Sequence, residues 1–241
     1  MTEFVPVSSS GHIVLLQNLF GLESSLSLNV FLHFGTLIAV VIAFWAEIKK
    51  IITFEKGYRK LAVLILISTI PAAIIGVLFQ DFFESIFSSV KVVAFMLIIT
   101  GLLLWLSDRI DGGEKVKNMT WDDAIFIGLA QALAIFPGIS RSGATIVGGL
   151  FKGLNRRLAA RYSFLLSIPV ISGATLLEGI ALYQSDLANI NSFNLLAGTL
   201  AATISGYFAI KILLWLIRKK RLSFFAYYCW LLALIILLFI V

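Results

Sequence analysis

The sequence predicts an all-α polytopic membrane protein with about six full spans and two re-entrant hairpins. Its plan is an inverted repeat, each half a hairpin followed by three transmembrane helices. Three observations predict it. Of the 241 residues, 60% are hydrophobic and only 13% are charged, whereas a soluble domain carries about 25% charged residues. Six apolar runs, 28–45, 60–79, 90–106, 161–183, 195–217 and 222–241, have the length of about 17–25 residues that a spanning helix needs. Lys and Arg then collect almost entirely on one side of the layout. The chain reads as a single integral membrane domain over residues 1–241.

Two apolar stretches do not span. The first, Phe4 to Phe20, is broken by Pro6, Ser8, Ser9, Ser10, Gly11 and His12. The second, 124–136, is 13 residues long and stops at Pro137; a run of about 10–14 residues reads as re-entrant or buried. A polar, Gly-rich turn over 137–145 follows it, and then apolar residues resume, the pattern of a hairpin that enters and leaves on one side. Trp45, Trp105 and Trp121 lie near run ends and need no role beyond the interfacial belt.

With both hairpins returning to their own sides, one face receives 16 of the 19 cations. They are Lys49, Lys50, Lys56, Arg59, Lys60, Arg109, Lys115, Lys117, Lys152, Arg156, Arg157, Arg161, Arg218, Lys219, Lys220 and Arg221. The other face receives only Lys91, while Arg141 and Lys211 lie inside apolar runs. Basic loops mark the cytoplasmic side, so the C-terminus and loop 184–194 are expected outside. The net charge of +6 belongs to these loops and calls for no nucleic acid.

The chain also looks duplicated, with repeats 1–106 and 121–241. Pro6 followed by Ser-Ser-Ser-Gly parallels Pro137 followed by Ser-Arg-Ser-Gly, and Gly21-Leu22 parallels Gly153-Leu154. Three spans per unit force the second copy to insert upside down. The hairpin tips then meet near the midplane, where inverted-repeat proteins place their sites.

Arg141 is the focus of the chemistry. A guanidinium cannot be neutralised in a protein, and at membrane depth it costs at least about 2.5–3.5 kcal/mol, so an anion should meet it. One reading is an ion pair with Glu3 across the repeat interface; the other is an anion site. Ser140, Ser142 and Thr145 offer hydroxyls, and Gly138 and Gly143 let amides approach an oxyanion. Residues 142–151 can start a helix whose N-terminus attracts phosphate. In the other hairpin, Glu3, Ser9 and His12 supply a metal ligand or base, a nucleophile and a proton carrier, the parts phosphoryl transfer needs beside an anion clamp. His33 reads equally as pocket lining or packing, Gln131 as a bond to the tip or to nearby backbone, and Glu178 as reaching water. The single Cys, Cys229, excludes a disulfide framework and a Cys-based zinc site.

The segments Glu3-Phe4-Val5-Pro6-Val7-Ser8-Ser9-Ser10-Gly11-His12 and Pro137-Gly138-Ile139-Ser140-Arg141-Ser142-Gly143-Ala144-Thr145 resemble the two signature motifs of the undecaprenyl-diphosphate phosphatases of the bacitracin-resistance type. The resemblance continues through Ser163 to Pro169 and covers nearly the whole chain. It implies hydrolysis of the polyprenyl diphosphate left after cell-wall glycan polymerisation, which regenerates the monophosphate carrier lipid and confers bacitracin resistance. It also implies a divalent cation, Mg or Ca, and residence in the bacterial inner membrane. By this resemblance Glu3 helps hold the metal, and Arg141 with Ser140 and Ser142 clamps the diphosphate. Ser9 or His12 delivers or activates the nucleophile.

A second lipid-phosphatase family, the type-2 phosphatidic-acid phosphatases, needs His and Asp where this chain has Val147 and Phe151, so that reading fails. The rival from another class is a polyprenyl-phosphate flippase or transporter, since inverted repeats around a midplane anion site are a transporter plan. Expected partners are the lipid substrate and membrane lipids, with a homodimer left open. Only five residues precede Pro6, against 13 apolar residues before Pro137, and the family motif has Glu or Gln four residues before Glu3. The sequence therefore leads to the expectation that Met1 is not the natural start.

Overall fold

A computed structural model of the chain describes residues 2–21, 26–110, 113, 119–184, 192–219 and 221–240. Met1, Lys115, Lys117, Lys220 and loop residues 185–191 lie outside them. The described residues form eleven helices and no strand: α1 (Ser9–Phe20), α2 (Leu26–Ala43), α3 (Trp45–Ile52), α4 (Tyr58–Leu78), α5 (Gln80–Phe87), α6 (Val90–Ser107), α7 (Trp121–Leu133), α8 (Arg141–Phe151), α9 (Arg156–Gln184), α10 (Ser192–Arg218) and α11 (Ser223–Phe239). Each of the six apolar runs corresponds to one long helix.

By length and composition α4, α6, α9 and α10 are each able to cross a bilayer. α2 and α3 pass the same test only as a pair, a broken span or a re-entrant loop bent by 84°. The break falls at Phe44, and α3 brings in Glu47, Lys49 and Lys50, charges that could not continue straight through hydrocarbon. α11 is apolar and 17 residues long. The bundle is apolar on its outside as well as inside. Leu66, Ile70, Ile74, Phe95, Leu102, Leu200, Ile204 and Ile212 are exposed, a surface suited to lipid chains. Leu97, Leu104, Ile210, Leu213, Ala226 and Cys229 fill the interior. The chain is an all-helical integral membrane protein.

Hydroxyls stitch the bundle, as expected where lipid cannot drive helices together. Thr199 Oγ1 and Thr203 Oγ1 of α10 donate to the carbonyls of Phe31 (3.2 Å) and Gly35 (3.0 Å) on α2. Ser68 Oγ of α4 donates to the Ala124 carbonyl at 2.7 Å, and Tyr162 OH of α9 donates to the Leu64 carbonyl at 2.7 Å. The two hydroxyls are 2.6 Å apart, so α4 and α9 are joined to α7. Another knot gathers three helix ends. Arg156, buried, donates to the carbonyls of Ser107 (2.6 Å) and Ile110 (3.1 Å). It also meets Asp108, whose carboxylate accepts the amides of Leu222 and Ser223 at the start of α11.

α7 and α8 form the two arms of the hairpin expected at 124–145. A capping box between Thr120 and Asp123 starts α7, and the chain turns over residues 134–140 before α8 begins.

Candidate active site

The two Ser-rich turns start their helices in the same way. Ser8 Oγ accepts the Gly11 amide at 3.2 Å, and Ser140 Oγ accepts the Gly143 amide at 3.2 Å. Each capping hydroxyl also meets the serine two residues on, Ser10 at 3.2 Å and Ser142 at 3.3 Å. The turns touch each other through their small residues. A Cβ on Gly11 would lie 3.3 Å from the Gly138 Cα, and one on Gly143 would lie 3.4 Å from the Pro6 Cβ. Gly138 has φ 104°, and a Cβ there would sit 2.6 Å from the Val93 carbonyl oxygen, so only glycine fits. Thr100 of α6 fastens this tip by donating to the Gly138 carbonyl (2.9 Å) and accepting the Ser140 amide (3.2 Å). Ser8 holds φ 65°, a costly backbone for a non-glycine residue.

A cavity of about 440 Å³ opens beside the joined tips, with Glu3, Ser9, Ser10, His33, Ser140, Arg141 and Glu178 in its walls. Arg141 Nη2 donates to Glu3 Oε1 at 2.6 Å, and Ser9 Oγ donates to Glu3 Oε2 at 2.5 Å. The ion pair anticipated as one reading of Arg141 is therefore present. It uses only part of the guanidinium, because Arg141 Nη1 is buried with no hydrogen-bond partner among the described residues. Arg141 is also the first residue of α8. The amides of Arg141 and Ser142 have no carbonyl within the helix to bond, and the positive end of the helix dipole lies at the cavity wall.

The structure brings Glu3, Ser9, Ser140 and Arg141 together at one cavity. Ser142 is buried behind Ser140. Thr145 Oγ1 is engaged with the Arg141 carbonyl at 2.8 Å and Ser163 Oγ at 2.6 Å, so it braces the first turn of α8. Gly138 and Gly143 shape the tip. His12 is not among the cavity walls; its Nδ1 meets the Ser8 carbonyl and its Nε2 the Tyr228 hydroxyl, both at 2.7 Å. Gln131 Nε2 donates to the Ser68 carbonyl at 3.3 Å.

Two further wall residues are His33, for which pocket lining is one of two even readings of the sequence, and Glu178, which is expected from it to reach water. His33 Nδ1 lies 3.2 Å from Glu178 Oε2, so Glu178 pairs across α2 and α9 instead of simply reaching water. Each is an ionisable residue inside an apolar run, a functional signal in itself, but nothing local links two positions 145 residues apart.

A second cavity of about 640 Å³ shares Ala134, Ile135, Arg141, Val170 and Ala174 with the first. Its remaining wall is mostly apolar, from Ala72, Ala73, Gly76 and Val77 on α4 to Pro169, Gly173 and Leu177 on α9. A third, of about 250 Å³, surrounds the Arg161–Glu47 ion pair and shares no residue with the other two.

Among the described residues no three His, Cys, Asp or Glu side chains gather around a point, so there is no all-protein metal cage. The ionisable walls of the first cavity are two carboxylates, one guanidinium and one imidazole. These walls alone bring little net positive charge to a polyanion. A Mg-type ion is commonly held by one or two carboxylates and the substrate's own phosphate oxygens, and Glu3 fits that arrangement.

Residues 1–235 match the family described as Bacitracin resistance protein BacA. Proteins named undecaprenyl-diphosphatase are similar along nearly their whole length. That of Halothermothrix orenii is 51% identical over 99% of this chain and 93% of its own. That of Carboxydothermus hydrogenoformans is 48% identical over 98% and 92%, and that of Methanobrevibacter smithii is 46% identical over 98% and 92%.

Proposed function

The chain belongs to the bacitracin resistance protein BacA family, and from that membership we propose that it hydrolyses undecaprenyl diphosphate to the monophosphate carrier lipid and inorganic phosphate. It is a membrane phosphatase acting on a lipid substrate, and the carrier it regenerates serves cell-wall synthesis. The observation that carries the site assignment is the meeting of Arg141, Ser140, Glu3 and Ser9 on one cavity wall, with Arg141 Nη1 left without a hydrogen-bond partner among the described residues. A guanidinium with donors to spare, at a helix N-terminus and beside the Ser140 hydroxyl, is a diphosphate clamp. Ser142, Thr145, Gly138 and Gly143 hold the clamp in shape. The apolar cavity that shares Arg141 would take the first isoprene units of the tail.

Ser9 has its proton acceptor in place, since its hydroxyl donates to Glu3. Ser9 Oγ attacks the terminal phosphorus, and the bridging P–O bond breaks to release polyprenyl monophosphate. The Ser9 proton passes to Glu3 and from there to the departing monophosphate. Water then hydrolyses the phosphoserine. The leaving group is already a phosphate, so most of the catalysis is charge neutralisation and alignment. Diphosphate competes with Glu3 for Arg141, and the Glu3 oxygen so released is the ligand available to Mg or Ca. Bound there, the cation would neutralise charge on the non-bridging oxygens. His12 acts from outside the cavity, through Ser8, by holding the start of α1.

The paired caps, the paired left-handed glycines Gly21 and Gly153 and the contact between tips support an inverted repeat of 1–106 and 121–241. The tips would lie near the midplane of a bacterial cytoplasmic membrane, with the C-terminus outside; a homodimer fits this plan. Phosphate release from farnesyl diphosphate by the purified protein in detergent tests the assignment. Steady turnover is expected; a flippase alone releases none.

A further inference from the structure

His33 and Glu178 are the ionisable walls of the cavity that the reaction above leaves unused. Their side chains are 30% and 31% exposed, so the pair faces the cavity and is not sealed in packing. His33 sits on α2 and Glu178 on α9, while Glu3 and Arg141 reach the same cavity from the two hairpin turns. A carboxylate only accepts hydrogen bonds, so the contact to Glu178 puts a hydrogen on His33 Nδ1, and in the neutral imidazole this leaves a lone pair on Nε2. No bond to Nε2 is made by any described residue. His12, the other histidine, has both nitrogens engaged outside the cavity.

We propose that His33, oriented by Glu178, is a positioning residue for the water that hydrolyses the phosphoserine at Ser9. The proposal rests on the phosphatase reading and adds to it the second half of the reaction. In the first half Glu3 serves Ser9 and Arg141 serves the diphosphate. Glu3, having passed its proton on, returns to its contact with Arg141, and the His33 imidazole lone pair is a further acceptor on the same cavity wall for water. The water oxygen bonds to phosphorus as the Ser9 Oγ–P bond breaks. One water hydrogen passes to Ser9 Oγ; the other, held by His33, stays on the product as hydrogen phosphate. His33 gains no proton overall, so the role is one of orientation, for which an acceptor at the correct place suffices.

The test compares wild type, His33→Leu and His33→Gln in detergent with farnesyl diphosphate and divalent cation, following farnesyl monophosphate and inorganic phosphate separately. His33→Leu is expected to form about one farnesyl monophosphate per enzyme rapidly. Its phosphate turnover should then be at least about tenfold slower, with phosphoserine at position 9 detectable by mass spectrometry. His33→Gln, whose amide oxygen is also an acceptor, is expected to recover at least a third of wild-type turnover. It serves as the folded control should the Leu variant fail to purify. Wild-type kcat in the Leu variant would overturn the proposal. So would a loss confined to KM, a slow variant without a burst, or a Gln variant as slow as the Leu variant. Wild type that releases no phosphate would instead overturn the phosphatase reading.

Discussion

Arg141 grips Glu3 with one terminal nitrogen, at 2.6 Å across 138 residues of chain, and leaves the other terminal nitrogen buried with no partner among the described residues. A buried donor left unsatisfied costs about 1–3 kcal/mol, and more when charged. The two Ser-rich turns carry this pair, one contributing each partner. The junction of the two turns therefore holds a guanidinium only partly committed to a protein carboxylate.

Divalent cation should be required. The cavity sets two carboxylates against one guanidinium before a diphosphate enters, so chelation should lower phosphate release at least about tenfold, on the scale of a several-kcal/mol charge-stabilising contribution. Mg or Ca should restore it. Undiminished release in excess chelator would mean that Arg141 and the α8 N-terminus hold the diphosphate without a metal.

Ser9 and Ser8, though adjacent, should respond differently. Ser9→Ala removes the hydroxyl that donates to Glu3 and should abolish both the monophosphate burst and phosphate release. Ser8→Ala loses the α1 cap, worth about 1 kcal/mol, while keeping a Cβ at φ 65°. Ser8→Gly also loses the cap but relaxes the backbone. Unfolding in detergent should show the Gly variant the more stable of the two.

Arg156→Ala should destabilise the fold without touching the site. It strips Asp108 of its cation and two carbonyls of their donor. Breaking a buried pair from one side costs about 3–5 kcal/mol. Denaturant titration should show the loss, and the surviving folded fraction should keep the wild-type KM.

The apolar runs were legible because hydrocarbon imposes one strong rule, a long apolar run per crossing; each of the six runs corresponds to a helix, and four of these helices, or five with the bent α2–α3 pair, meet the length and composition of a span. The second hairpin was legible from its short run and Pro137. The bend at Phe44 was not, since apolar residues continue up to Trp45 and only the charges beyond mark the turn. At the site, Arg141, Ser140, Glu3 and Ser9 stand out because polar residues crowd into apolar segments. The His33–Glu178 pair was not legible, because its meaning comes from packing α2 on α9. His12 illustrates the converse: it lies in a motif rich in reactive groups, yet Tyr228, 216 residues away, takes its second nitrogen.

Topology can be read with reporters. From the cation asymmetry, a C-terminal fusion is expected outside the cytoplasm and fusions within 107–119 and 218–221 inside it. A cytoplasmic C-terminus would mean that one hairpin crosses the membrane, and the inverted-repeat arrangement would be lost.

The most direct measurement is phosphate release from farnesyl diphosphate by wild type, Arg141→Ala and Arg141→Lys, purified in the same detergent. Lys keeps the charge but not the planar fork. If the spare nitrogen of Arg141 grips the diphosphate while its neighbour leaves Glu3, both variants should lose at least about 100-fold in kcat/KM, the scale on which removing one charge-stabilising donor acts. Turnover near wild type in Arg141→Lys would show that a point charge suffices, and would contradict the clamp.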